Sequence, residues 1–273
     1  MDARAGKMIW RLINSGPADG ATNMALDDAL MSGAATTPTL RFYTWSTPCL
    51  SIGYSQHVSR SVDVEACSHL GIELVRRPTG GAAVLHDIEL TYCLVAPETH
   101  PAVSGSIVES YRKISRGLVA GMACLGLECE VSQQARPGGR NSAACFETPS
   151  AYEITADGRK VVGSAQCRRD GVVLQHGSLL LEVDRERISQ VLRFPRLKEY
   201  SIRAGRLLAG ATSLHEVVGR VVSFEEASSA MVTGFQDALG IELRPGCLTP
   251  EENRLARGLR QMKYSNPAWT MMW

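Results

Sequence analysis

Cys145 stands in Ala144-Cys145-Phe146-Glu147-Thr148-Pro149-Ser150, and Lys160 follows in Gly158-Arg159-Lys160-Val161-Val162-Gly163-Ser164-Ala165. Upstream runs Arg76-Arg77-Pro78-Thr79-Gly80-Gly81-Ala82-Ala83-Val84-Leu85-His86-Asp87. A thiol attacks as its thiolate, and an unperturbed pKa of ~8.5 leaves only a few per cent ionised at neutral pH. A nearby cation raises that fraction, and Lys160 is the candidate. Gly80 and Gly81 carry no side chains, so backbone amides there can approach a carbonyl oxygen. A thiol, an activating amine and a bare stretch of backbone together suit acyl transfer through a covalent intermediate.

Each part also has a plainer reading. Free cysteines are usually buried as small hydrophobes. Cys145, however, follows a Gly/Arg-rich loop and precedes a proline, at an edge of regular structure where reactive groups collect. Lys160 reads by default as a solvated residue after a hairpin turn, and Thr79-Gly80-Gly81 as a turn itself. His86 and His176, the latter in Gln175-His176-Gly177-Ser178, read first as hydrogen-bonded structural histidines. Asp87 adjoins His86, but adjacent strand residues face opposite sides. Regular alternation predicts Lys160, Val162, Ser164 and Gln166 on one face and Val161, Gly163, Ala165 and Cys167 on the other. The nearest rival thiol, Cys167, then points away from Lys160 unless a bulge intervenes.

The elements that must position these groups alternate along the chain. Strands are expected at Met8–Asn14, Thr39–Trp45, Leu50–Tyr54, Ile72–Arg77, Ala82–Leu85 and Leu90–Val95. Helices are expected over Thr22–Met31 and Val62–Leu70, the latter stopped by Gly71. Ile107, Tyr111, Ile114, Leu118, Met122 and Leu125 recur at three- and four-residue steps and mark a helix over Ser106–Leu125. A strand at Leu127–Val131 and a polar loop over Gln134–Ala143 follow. Asp157-Gly158 and Asp170-Gly171 are two-residue hairpin signals. They divide a meander of strands at Tyr152–Thr155, Lys160–Gln166, Val172–Gln175 and Ser178–Val183. Ser223 with Glu226, and Thr249-Pro250 with Glu252, start helices. The expected class is α/β (α+β): mixed, largely antiparallel sheets flanked by helices, one domain over residues 1–273 with a helical segment from about 216.

The chain has 273 residues, 44% hydrophobic and 21% charged, an ordinary composition for a packed globule. A formal net charge of +1 supplies no global field for nucleic acid. No apolar run is long enough to span a bilayer or to form a signal peptide, so a cytoplasmic location is expected, with no nucleic-acid or membrane partner. Eight cysteines in a chain of this size need not form disulfides. Cys124 and Cys129 lack the second half of a zinc site, and no metal is expected.

The chain resembles the biotin/lipoate ligase-like family, and within it the octanoyltransferases that use a cysteine nucleophile. Arg76–Asp87 is similar to the Arg-Arg-x-Thr-Gly-Gly-Gly-Ala-Val-x-His-Asp signature, and Gly158–Gln166 to the family's lysine motif; order and spacing fit from about Trp10 to Val183. The resemblance implies a biotin/lipoate ligase-like catalytic domain in which Cys145 takes octanoyl from octanoyl-acyl carrier protein. It implies transfer to the lysine of a lipoyl domain, such as the glycine cleavage H protein or an E2 subunit, without a cofactor. Lys160 would move the protons. Arg76, Thr79, Gly80, Gly81, Ala82, His86, Gly163, Ser164, Ala165, His176 and Gly177 would form the substrate side. Ala82 departs from the signature's third glycine. The alternatives are an amidotransferase between lipoyl domains, an ATP-dependent lipoate ligase, or a non-catalytic acyl- or carrier-binding module. Because the protein partners tend to be acidic, Arg136, Arg140, Arg168 and Arg169 form a candidate docking patch.

Overall fold

The computed structural model describes residues 7–33, 37–131, 154–193 and 210–272. Cys145, Arg136, Arg140 and the expected loop over Gln134–Ala143 lie outside the described residues. In chain order the elements are β1 (Met8–Ala18), α1 (Gly20–Gly33), β2 (Thr39–Trp45), β3 (Cys49–Ile52), α2 (Val58–Ser61), α3 (Val64–His69), β4 (Glu73–Arg76) and β5 (Val84–His86). There follow β6 (Glu89–Pro97), α4 (Ile107–Cys124), β7 (Glu130–Val131), β8 (Ile154–Ala156), β9 (Arg159–Arg169), β10 (Val172–Leu180) and α5 (Arg185–Val191). The remainder is α6 (Leu214–Val218), α7 (Phe224–Leu239), β11 (Ile241–Pro245), α8 (Pro250–Leu259), a wider helical turn over Arg260–Tyr264, and α9 (Pro267–Thr270).

Among the described residues, eight strands form a sheet in the order β11-β1-β2-β6-β10-β9-β8-β7, and three form a second in the order β4-β3-β5. The β1 contacts with β2 and β11 are parallel, as is β3 with β4; the other pairs are antiparallel. This is the mixed, largely antiparallel class expected. Both Asp-Gly turns form: φ is +49° and +71° at Asp157-Gly158, and +53° and +74° at Asp170-Gly171. That left-handed pair gives a turn whose twist matches the flanking strands.

Alternation sorts the large sheet's two faces. Leu40 and Phe42 of β2 and Leu90, Tyr92 and Leu94 of β6 join Ile114, Leu118 and Met122 of α4 and Met231 and Phe235 of α7 in one core. Tyr43, Cys93 and Leu174 join Met24 and Leu30 of α1 on the opposite face, with Cys49 and Val75 of the small sheet. The candidate site lies on this second face. A third cluster packs Leu50 and Ile52 against α2, α3 and α5.

Several expectations change. The two strands expected at Val172–Gln175 and Ser178–Val183 are one strand, β10, with all nine residues buried. The helix expected over Val62–Leu70 is α3 and starts two residues later, because Asp63 caps it by accepting a hydrogen bond from the Ala66 amide, and the separate turn α2 precedes it. Pro78–Gly81 is not a hairpin turn, since β4 and β5 do not pair; the segment crosses over β3, which lies between them. β11 was not expected; it pairs in parallel with Met8–Leu12 immediately after Gly240 ends α7.

The α4–α7 contact brings two backbones together. A Cβ on Gly234 would stand 2.1 Å from the Gly121 nitrogen and 2.5 Å from the Gly117 oxygen. Backbone cannot yield as a flexible side chain does, so overpacking should cost about 1–3 kcal/mol. Gly234→Ala is expected to lower the unfolding free energy by that amount, read as a lower urea midpoint at unchanged slope; an unaltered midpoint would mean that the helices separate freely.

Candidate active site

A cavity of about 370 Å³, counting its mouth, opens between the second face of the large sheet and the small sheet. α1 supplies Met24, β2 Tyr43 and Trp45, β3 Ser51, β5 Val84 and His86, β6 Thr91, β9 Gly163, Ser164 and Ala165, and β10 His176, Gly177 and Ser178; Arg77 completes the wall. His86, Gly163, Ser164, Ala165, His176 and Gly177 were singled out from the sequence, and β9–β10 pairing sets Ala165 opposite His176 and Gly177 opposite Ser164.

Two histidines organise the wall. His176 is buried, and its Nδ1 lies 3.0 Å from Asp27 Oδ2 and its Nε2 2.7 Å from Thr79 Oγ1. Burial outweighs the attraction of Asp27 and pushes the imidazole pKa down. The neutral ring then donates from Nδ1 to Asp27 and accepts the Thr79 hydroxyl at Nε2. Asp27 is itself buried; burial alone would raise its pKa, but the His176 hydrogen bond and the Arg41 guanidinium hold it below the usual carboxylate range. Arg41 donates to Asp27 Oδ1 at 2.6 Å and to Asn23 Oδ1 at 2.7 Å, and Tyr43 donates to Asp27 Oδ2 at 2.9 Å.

His86 repeats the arrangement on the small sheet. Its Nδ1 is 2.8 Å from Glu89 Oε1 and its Nε2 2.7 Å from Ser51 Oγ. Trp45 stacks on it, with ring centroids 4.1 Å apart, and donates its indole N–H to Glu89. The orienting carboxylate is therefore Glu89; Asp87 pairs outward with Arg187. With Thr91 and Ser178 also donating to Glu89 Oε1, each polar side chain of the wall has a partner within the protein.

The segment Thr79–Ala82 sits above β3. Thr79 does not line the cavity but hydrogen-bonds His176, and its carbonyl accepts the Tyr54 amide. Arg77 donates to the Gly80 and Ala82 carbonyls, each at 2.8 Å, which fixes the course of the glycine pair. Gly81 has φ +96°, and a Cβ on Gly53 beneath it would stand 1.9 Å from its oxygen. Arg76 lies outside the cavity. Its buried guanidinium donates to the carbonyls of Gly53, Tyr54 and Gln56 and to those of Trp269, Thr270 and Met272. Its visible work is thus to tie two segments together.

Lys160 is fully buried. It pairs with Thr155, whose neighbours Ile154 and Ala156 belong to the helix-side core, so Lys160 lies on the opposite face. The register then shifts between Lys160 and Val162, and Val161 and Val162 both enter the helix-side core. This bulge breaks the expected alternation and brings Lys160 into phase with Gly163 and Ala165. Cys167 shares that face, contrary to the expectation, but seven residues at ~3.3 Å each hold it apart from Lys160. Burial pushes the Cys167 thiol up to about 11, a poor source of thiolate. Of the expected docking patch, Arg168 donates to the Gly105 carbonyl and Arg169 pairs with Asp28.

Asp27, Arg41, Trp45, Ser51, Arg77 and Glu89 were not singled out from the sequence. The one available signal was the pair Asp27-Asp28 inside an otherwise apolar helical stretch, Met24 to Met31, where a charge must find partners.

The family model of the lipoyl protein ligase A/B catalytic domain matches residues 19–236. Curated relatives named octanoyltransferase LipM include that of Kyrpidia tusciae, 46% identical over 95% of this chain and 97% of the relative. That of Bacillus subtilis is 38% identical over 96% and 98%. Among solved structures, a bi-partite lipoate protein ligase from Thermoplasma acidophilum, described with its E2 lipoyl domain, superposes with a TM-score of 0.82 at 28% identity, covering 97% of this chain and 96% of that one. A lipoate-protein ligase A bound with ATP gives 0.80 at 30% identity, covering 97% and 99%. The chain belongs to the lipoyl protein ligase A/B catalytic-domain family and is an acyltransferase enzyme.

Removing one partner of a buried pair strands the other's charge, at a cost of about 3–5 kcal/mol. Asp27→Asn should destabilise the fold by that amount in equilibrium unfolding. A carboxylate with a depressed folded-state pKa stabilises above its unfolded value of about 4, and that contribution fades as pH falls through the folded value. The gap between parent and variant should therefore narrow below pH ~4; a gap constant down to pH 2 would show that Asp27 is not the ionised partner.

Proposed function

We propose that this acyltransferase moves an octanoyl group from octanoyl-acyl carrier protein, through a thioester on Cys145, to the lysine of a lipoyl domain. The observation that carries the reading is the cavity, its polar groups bonded to one another and its wall including Gly163 and Ala165 on the face that Lys160 shares. An alkyl chain entering it deprives no wall group of a partner. At about 0.8 kcal/mol per CH₂, burying the octanoyl tail contributes roughly 5 kcal/mol before ordering costs. The curated relatives' shared name, octanoyltransferase, agrees with such an occupant.

In the proposed reaction Cys145 gives its proton to Lys160 and attacks the carbonyl of the donor thioester. Lys160 returns that proton to the carrier's departing thiol, and octanoyl remains on Cys145. The lipoyl-domain amine then attacks this second thioester, Lys160 relays its proton to the departing Cys145 sulfur, and a stable amide forms. Both esters are activated, so the sequence needs no ATP. Lys160 is fully buried and shares a sheet face with Gly163 and Ala165, and in this reading its amine receives the thiol proton. Gly80 and Gly81, their course fixed by Arg77 and Thr79, would offer backbone amides to the developing oxyanion.

Intact-protein mass after mixing with octanoyl-acyl carrier protein, without ATP, should show one octanoyl adduct on the parent and none on Cys145→Ala. Lys160→Ala should slow adduct formation by about 10²–10⁴-fold. Discharge of the adduct by a lipoyl domain completes the reading. An adduct formed only from an octanoylated lipoyl domain would make the enzyme an amidotransferase. Modification that requires ATP and survives Cys145→Ala would make it a ligase.

A further inference from the structure

β9 lies between β8 and β10, but its pairing with β10 ends at Val162 opposite Leu179. Two residues earlier, at Lys160, the place beside β9 is taken by residues from elsewhere in the chain. Ala211 forms a parallel bridge with Lys160, and the Thr212 amide donates to the Lys160 carbonyl at 2.8 Å. Ala211, Thr212, Ser213 and Leu214 are all essentially buried. Without this segment Lys160 would stand at an open sheet edge, within reach of water.

An ion-pair cluster fixes the segment. Glu216, in the first turn of α6, accepts both terminal nitrogens of Arg185 from α5, accepts Arg159 from β9 at 3.1 Å, and accepts the Thr212 hydroxyl at 2.9 Å. Arg185 also donates to the Ala211 carbonyl at 2.9 Å. Three elements and the bridging segment thus meet at one carboxylate. Its side chain is only 29% exposed, and the Arg185 hydrogen bond pulls its pKa down to about 2, so it stays charged at neutral pH.

We infer that Glu216 and Arg185 are positioning residues for Lys160: they clamp Ala211–Thr212 into the gap left by β10 and so keep the amine out of water. The clamp rests on the geometry around Lys160; its importance for turnover rests on the proposed role of Lys160. Exposed ion pairs usually contribute little to stability. This one is multidentate and ties α5, α6 and β9 to the bridging segment, so loosening it should open the gap locally rather than unfold the chain.

The test combines two readouts independent of activity with one that depends on it. In the full chain, Glu216→Ala should speed labelling of Lys160 by an amine-reactive reagent roughly tenfold, with faster amide exchange at Thr212. Glu226→Ala, which breaks the exposed pair with Arg220, should change neither. Acyl transfer by Glu216→Ala should fall in kcat with little change in KM for the donor. Should Glu216→Ala fail to fold, Arg159→Ala removes one limb and should give a smaller effect in the same direction. Unchanged labelling and exchange in a folded Glu216→Ala variant overturns the clamp. Faster labelling, with Lys160→Ala fully active in transfer, supports the clamp and overturns the proposed role of Lys160.

Discussion

A carboxylate and a guanidinium buried together beneath the cavity govern much of its shape. Asp27 on α1 and Arg41 on β2 are both wholly withdrawn from water, and neither could remain charged there alone. Their pairing locks α1 against the large sheet and leaves Asp27 one oxygen, Oδ2, to receive Tyr43 and His176. From His176 the constraint passes to Thr79, and from Thr79 to the segment that crosses over β3. The glycine pair is thereby held by a chain of hydrogen bonds that begins at an ion pair on another element.

The same economy explains how a largely apolar cavity can be built from polar residues. Serine, threonine, histidine and arginine line the cavity, a list that suggests an aqueous pocket. Glu89 gathers Trp45, Thr91, Ser178 and His86 on one oxygen, while Asp27 gathers Arg41, Tyr43 and His176. What remains facing the cavity is mostly carbon and committed hydrogen bonds. For the proposed alkyl occupant, specificity would follow from what the wall has already bonded as much as from its apolar residues.

Sequence reading succeeded where the physics is local. The Asp-Gly turns were legible because both residues must take positive φ, and α4 because its apolar residues repeat at the helical period. The motif around Gly80 and His86 and the run Gly163–Ala165 could be placed near one site through family resemblance. Arg41 gave no local sign of its role, since its partner is fourteen residues away on another element. Glu89 and Trp45 were likewise silent, their contact separated by 44 positions. The bulge at Val161 changed which residues share a face with Lys160, from Val162 and Ser164 to Gly163 and Ala165, because alternation carries no mark of an inserted residue. Cys145 lies outside the described residues, and its role stands on sequence and chemistry.

Arg76 carries an implication for synthesis. Its guanidinium holds carbonyls of residues 53–56 together with those of 269–272, the farthest 196 positions away. A ribosome adding about 5–20 residues per second delivers those later acceptors roughly 10–40 seconds after Arg76 itself. Until then the arginine lacks half its acceptors in the folded protein, and the loop over Gly53–Gln56, on which the Gly81 backbone rests, has only part of its support. The wall of the cavity is thus completed late, although most of its lining is encoded early.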